Sequence, residues 1–412
     1  MSNWTLNLPC DSTKELHGAN HDDLQRMNRV LVLSFIRKHG VTTRADLSKL
    51  TGLKRATISN IINDLIACGI VKETGFIEGN KGRRSIGVAF NDVKNKIIAI
   101  RLSRAYFIIS VYDIAGGQHY YKQVPVSFAD GADITLNRIK EGIHNVLAQH
   151  KKIATIGIAL PGPYIKSENE IGQISDFPGW EGINIVKEIE QEFNIPTCAE
   201  HDGKASALAE WWFGNHTTFS SNTVLMSVLA GHGTGIGIIS KGEIFQGANG
   251  CAGELGHTSI KYDGPLCACG NRGCLDLYCS SLIYLKILRE KLPQHPNSVL
   301  HGNDITFESA KNALLKSDPF AVEELKKMGT MFAYGLVNAI NVYDPNIIVI
   351  GDDFGRLGGQ LLLDTVKETV KERILPSIYK NLSITMSALE DSILLGAMVV
   401  ATDMALLALL EK

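Results

Sequence analysis

Between residues 22 and 39, apolar side chains recur at Leu24, Met27, Leu31, Leu33, Phe35 and Ile36, a spacing that predicts a packed helix ending near Gly40. Thr43-Arg44-Ala45-Asp46 has the form of a capping box and opens a short second helix that Gly52 stops. In the segment that follows, Ile58, Ile61, Ile62 and Leu65 stand at i, i+3, i+4 and i+7 and form one apolar stripe. The opposite face offers Arg55, Thr57, Ser59, Asn60 and Asn63, all hydrogen-bonding groups. Gly69 ends this third helix, and residues 70–76 and 85–90 then alternate as two strands around Glu78-Gly79-Asn80-Lys81-Gly82-Arg83-Arg84.

Three helices followed by a basic hairpin predict a winged helix-turn-helix over residues 21–90, behind a polar N-terminal arm, residues 1–20. Its third helix would enter the major groove, where Lys54, Arg55, Thr57, Ser59 and Asn60 meet base edges and backbone. Lys81, Arg83 and Arg84 at the hairpin tip would meet phosphates or the minor groove. A small helical protein-interaction domain is the plainer alternative. The polar face and the Gly-flanked basic tip together weigh against it.

From about Asn91 the pattern changes. Strands are expected at 96–103, 106–113 and 120–125, with Ala115-Gly116-Gly117 between the last two. A helix at 132–151, a strand at 153–160, a helix at 183–193 and a strand at 196–200 follow, the last running into His201-Asp202. A second series starts at Thr223: a strand, the turn Gly231-His232-Gly233-Thr234-Gly235-Ile236-Gly237, two more strands and a loop. It continues with a helix at 332–343 and a strand at 347–350 closed by Gly351. Two such rounds predict a duplicated α/β unit with a cleft between two lobes, residues 91–200 and 201–389. Residues 393–410 are almost wholly apolar, but Asp403 interrupts them. A helix within 390–412, packed back on the first lobe or at a dimer interface, fits better than a membrane span.

The candidate chemistry is densest in the loop. Gly253-Glu254-Leu255-Gly256-His257 is followed by Cys267-Ala268-Cys269-Gly270-Asn271-Arg272-Gly273-Cys274. His257, Cys267, Cys269 and Cys274 supply the one-nitrogen, three-sulfur set of a tetrahedral structural zinc, with no open position left for catalysis. The alternative is a set of inert buried cysteines. Eight cysteines, three of them assigned to metal, suit a reducing cytoplasm better than a disulfide framework. A net charge of −2 across 412 residues means that any basic surface is local. Met1 to Cys10 lacks a charged-then-apolar leader pattern.

With these residues in view, the whole chain resembles the ROK family of repressors, open reading frames and sugar kinases. Glu254-Leu255-Gly256-His257 is similar to its E-x-G-H motif, and Cys267 to Cys274 to its C-x-C-G-x-x-G-C zinc motif. His201-Asp202 falls at the Asn-Asp pair that holds sugar hydroxyls in the kinases. Asp176-Phe177-Pro178-Gly179-Trp180 resembles the loop lining the sugar pocket, where Trp180 either stacks on a sugar or packs the lobe. The winged helix and Gly-Arg-Arg tip place the chain in the transcriptional-repressor branch. The resemblance implies a duplicated, actin-like ATPase fold with sugar in the interlobe cleft. It also implies sugar contacts from Asp176, His201, Asp202, Glu254 and His257, and from Asp276, which stands where the kinases carry a longer Glu. His257 would serve sugar through one ring nitrogen and zinc through the other.

Two departures set the expected class. Where the kinases carry Asp-x-Gly-Gly-Thr, this chain has Arg101-Leu102-Ser103-Arg104-Ala105, and the later Gly-Gly is Gly351-Asp352-Asp353. Side chains in place of glycine obstruct the approach of backbone amides to phosphates, so kinase activity should be lost and the protein should not be an enzyme. The expectation is a cytoplasmic, sugar-responsive repressor that binds a double-stranded operator as a homodimer or homotetramer. The alternatives are a sugar kinase with an added DNA-binding domain and a regulator governed by a protein partner.

Overall fold

The computed structural model describes residues 21–78, 84–92, 95–127, 130–172, 177, 179–215 and 222–410, in two compact units. The first holds the chain to Phe213 together with Lys241–Ile244 and the C-terminal helix from Ile393; the second holds Gly214–Ser240 and Phe245–Ser392. The arm, residues 1–20, and the wing tip, residues 79–83, lie outside the described residues.

The first unit begins with helices His21–His39, Arg44–Thr51 and Arg55–Ala67, then strands Val71–Glu78 and Arg84–Phe90. The stripe Ile58, Ile61, Ile62 and Leu65 is buried, as its spacing requires, in one core with Leu33, Ile36, Leu47, Val71, Val88 and Phe90. Thr43 caps the second helix as expected. Its Oγ1 accepts from the Asp46 amide at 3.1 Å, and its hydroxyl donates to Asp46 Oδ2 at 2.7 Å. Gly52 ends that helix at φ 74°, a left-handed conformation suited to glycine. Leu24 and Met27, expected in the apolar stripe of the first helix, are exposed instead. The buried face of that helix starts only at Val30 and continues through Val32, Leu33 and Ile36.

Past the wing, five strands form a sheet in the order Thr197–His201, Ile153–Leu160, Lys96–Leu102, Tyr106–Asp113, Gln118–Pro125. The first three run parallel and the last two add antiparallel. Helices Gly131–Gln149 and Ile185–Phe193 contribute Ile139, Ile143, Ile185 and Ile189 to a core with Ile98, Ile100, Ile156 and Ile158. Trp180 belongs to this core, 1% exposed and stacked on Phe177 with centroids 5.2 Å apart, so its role is packing. The C-terminal helix, Ser392–Leu410, also packs on this sheet. A Cβ at Gly157 would overlap the Ala397 carbonyl, and Thr155 Oγ1 donates to the Ala401 carbonyl at 2.8 Å. Among the described residues no helix is long and apolar enough to cross a membrane.

In the second unit, strand Val224–Ala230 pairs antiparallel with Thr234–Ser240 and parallel with Ile347–Gly351, which pairs parallel with Ser383–Met386. Helices Ser281–Lys291, Phe307–Leu315, Pro319–Tyr343 and Asp352–Arg373 bury Leu288, Ala310, Phe332, Leu336, Leu362 and Val366 against Val228, Ile348 and Ile350. The second round of elements therefore repeats the first in kind: a parallel-cored sheet, an antiparallel extension and covering helices.

Candidate functional site

The third helix presents the side chains that the sequence nominates. Lys54 stands at its N-cap position in extended backbone. Lys54, Arg55 and Asn60 are exposed, and Thr57 and Ser59 are half-buried. A groove of about 350 Å³ lies along this face, where Thr57, Asn60 and Asp64 meet Asn28 and Arg29 of the first helix. Arg29 Nη2 donates to Asp64 Oδ2 at 2.9 Å. Arg44 reaches both Asn63, at 3.3 Å, and Glu73 on the wing, at 2.8 Å, tying the second helix to the third helix and to the hairpin. The sequence patterns did not flag Asn28, Arg29 or Arg44, because these contacts join helices whose register is invisible in a linear stripe. Arg84 is exposed and pairs in register with Glu78. Lys81 and Arg83 lie outside the described residues.

In the second unit, the ligand atoms of His257, Cys267, Cys269 and Cys274 all lie within 4.8 Å of one another. Cys269 Sγ and Cys274 Sγ are 3.7 Å apart, and Cys267 Sγ is 3.8 Å from His257 Nδ1. A tetrahedral zinc with bonds of about 2.3 Å to sulfur needs sulfurs about 3.8 Å apart, so the donor set fits the ion. The loop is shaped by its backbone: the Cys267 amide donates to the Asn271 carbonyl at 2.8 Å and the Ile260 amide to the Gly273 carbonyl at 2.9 Å. Burial pushes the Cys274 thiol up to about 12, so a metal bound there must displace its proton. Cys269, although burial opposes it, is held below the ordinary thiol value by the Asn271 backbone and the neighbouring Cys267 and Cys274. Gly273 sits at φ 62°, and a Cβ there would overlap the Lys261 carbonyl. Gly273→Ala is therefore expected to open the loop and abolish metal retention, checked by metal content of the purified variant.

Asp276 sits between the Gly-rich turn and the Glu254-Leu255-Gly256-His257 segment. Its Oδ1 accepts from the Thr234 amide at 2.8 Å, and its carboxylate lies where a Cβ on Gly256 would be, in tight contact with the place of one on Gly233. It thus ties the Gly-rich turn to the Glu254-Leu255-Gly256-His257 segment, and Gly256 has to be glycine to admit it. Glu254, half-buried, precedes the 3-10 turn Leu255–His257. In the first unit, Asp202 opens the helix Asp202–Phe213 and is half-buried. Its Oδ1 accepts from the Gly203 amide at 2.6 Å and lies 3.1 Å from Nε2 of the buried His201. Glu200, just before the pair, is buried and bound by Lys166. Asp176 lies outside the described residues.

The phosphate-loop position is closed on itself. Ser103 Oγ accepts from the Ala105 and Tyr106 amides at 3.4 and 3.1 Å and donates to the Tyr106 carbonyl at 2.8 Å. Arg101 is buried, its guanidinium 5.4 Å from the Tyr106 ring centroid. At the other nucleotide-side position, Asp352 begins the helix Asp352–Arg373, and its carboxylate occupies the place of a Cβ on Gly231.

Two α/β units built alike, preceded by a winged helix and carrying a His/Cys₃ loop, define a two-lobed actin-like body joined to a helix-turn-helix module. The chain belongs to the ROK family, whose pattern matches residues 97–404. A xylose repressor of Caldicellulosiruptor bescii is 29% identical over 402 residues, spanning 94% of this chain and 98% of the relative. The DNA-binding transcriptional repressor Mlc of Escherichia coli is 26% identical over 371 residues, 88% of this chain and 89% of its own. A solved ROK family transcriptional regulator, a homologue of Mlc, superposes with a TM-score of 0.76 at 25% identity, over 94% of this chain and 100% of its own. A ROK family glucokinase of Streptomyces griseus, solved with glucose and AMPPNP, shares the fold with a TM-score of 0.66 at 21% identity, over 74% of this chain and 99% of its own.

Proposed function

We propose that this protein is a sugar-responsive transcriptional repressor that reads an operator through the third helix of its winged module. The observation that carries this is the exposed polar face of that helix, Arg55 and Asn60, set over a fully buried apolar stripe. Relatives aligned along 94% and 88% of the chain, named as a xylose repressor and as a DNA-binding transcriptional repressor, support it. Residues 21–90 form the DNA-binding domain, with the wing arginines on the phosphate backbone. The body binds a sugar or sugar derivative through Asp202 and Glu254, with His257 shared between sugar and metal. The His257, Cys267, Cys269 and Cys274 set holds a structural zinc. A two-fold assembly follows from how this motif reads paired half-sites. Kinase activity is lost, because the Ala105 and Tyr106 amides are spent on Ser103 and the Asp352 carboxylate stands at the other phosphate-side turn.

The test is a binding series on a selected operator. Arg55→Ala or Asn60→Ala should relax base preference, each by about 1–3 kcal/mol per lost base contact. Arg83→Ala with Arg84→Ala should weaken all sequences alike and lower the salt slope by about two. A double wing variant with unchanged affinity and salt slope would remove the wing from the interface. Unchanged base preference in both helix variants would remove the third helix.

A further inference from the structure

The first helix of the winged module, His21–His39, meets the C-terminal helix, Ser392–Leu410, along a mostly apolar seam. Val30 packs on Leu407, and Leu406 enters the core of the winged module itself. Within this seam stands a single buried ion pair among the described residues. Arg37 Nη1 donates to Asp403 Oδ1 at 2.8 Å, with the two side chains 6% and 1% exposed. The guanidinium carbon lies 4.8 Å from the ring centroid of Trp212, on the helix Asp202–Phe213. Three segments far apart in sequence therefore converge on one charge.

The pair is incompletely satisfied. Arg37 Nη2 and Asp403 Oδ2 are buried with no hydrogen-bond partner. Burial raises the pKa of the Asp403 carboxyl against the pull of Arg37. A buried pair of this kind adds little net stability, since desolvation offsets most of the attraction, and apolar replacements of similar volume are often neutral or stabilising. The surrounding apolar contacts are non-directional. What the pair contributes is a direction: one nitrogen, one oxygen and one ring fix where the first helix sits. Asp403 is in turn held in place by its own helix, anchored two residues earlier by Thr155 on the Ala401 carbonyl and by the close approach at Gly157.

We propose that the Arg37–Asp403 pair, over Trp212, is the contact that fixes the orientation of the DNA-binding module on the body, and so sets the half-site spacing the protein accepts. Arg37 and Asp403 are positioning residues, remote from the base-reading face. The inference rests on the DNA-binding reading above. It also requires two chains to read paired half-sites.

The experiment selects an operator from random duplexes with the full-length protein, then moves its half-sites together or apart one base pair at a time. Wild type should lose about tenfold or more in affinity one to two base pairs from its preferred spacing. Arg37→Leu with Asp403→Leu should keep the half-site sequence and a thermal midpoint at or above wild type, yet bind the series within about threefold. If the double variant fails to fold, Arg37→Gln with Asp403→Asn, which keeps the side chains close in size and removes both charges, is put through the same series. A spacing profile in the folded variant that superimposes on wild type overturns the proposal. So does a wild type that selects a half-site but accepts every spacing equally. A wild type that selects no sequence at all instead rejects the DNA-reading helix, and the spacing role with it.

Discussion

Cys274→Ser is expected to take zinc content from one ion per chain to none and to open the loop from His257 to Cys274. Cys274 is fully buried, its Sγ lies 3.7 Å from that of Cys269, and its backbone bridges to Ser259. Structural zinc in small sites contributes about 10–16 kcal/mol of apparent binding free energy. That rivals the entire net stability of a domain, about 5–15 kcal/mol. The loss should therefore reach beyond the loop to Glu254 and to the Gly-rich turn, which Asp276 ties to the same segment. The core of the winged module takes only Ile114 and Leu406 from outside it, both in the first unit, so the module should keep its helices. Metal analysis of protein purified without chelator, with half-site binding as the control for the winged module, checks both halves. Wild-type protein without zinc would remove the metal from the assignment. A variant that stayed metal-loaded would remove Cys274 from the ligand set.

The parts legible in the sequence are those whose cause is local. The stripe from Ile58 to Leu65, the Thr43 cap and the strands 153–160 and 347–350 each express a period or a capping geometry within a few residues. The cluster of His257, Cys267, Cys269 and Cys274 was legible for the same reason, since all four side chains lie within eighteen residues. The helix Asp202–Phe213 was not read, because it buries nearly all its faces, Lys204 and Glu210 among them, and so carries no amphipathic signal. The helix Asp352–Arg373 was hidden by Gly355, Gly358 and Gly359, the last at φ 51°, where the chain kinks. The helix read at 332–343 in fact starts at Pro319, capped by Asp318 through the Ala321 amide at 3.0 Å. Asp403 looked like an interruption in an apolar run; its partner Arg37 is 366 residues away, beyond the reach of any sequence period.

Asp202→Ala and Glu254→Ala should each cost about 1.5–3 kcal/mol of sugar affinity, the range for hydrogen bonds to charged groups, or about 10- to 150-fold in Kd. Neither residue belongs to the winged module, so operator binding without sugar should stay near normal and the variants should be locked in the unliganded regulatory state. Calorimetry against a panel of free and derivatised sugars, xylose and N-acetylglucosamine included, gives the first quantity. Operator titration with and without the sugar that binds gives the second. The same carboxylates separate binding from catalysis, because they accept hydroxyls whether or not phosphate is transferred. Transfer needs backbone amides free to hold the phosphates, and here the Ala105 and Tyr106 amides point into the Ser103 hydroxyl. Wild type should therefore bind sugar and consume no ATP in a coupled assay. Phosphorylated sugar formed at enzyme-like turnover, and abolished by Asp202→Ala, would overturn this and make the protein a kinase with an added DNA-binding module.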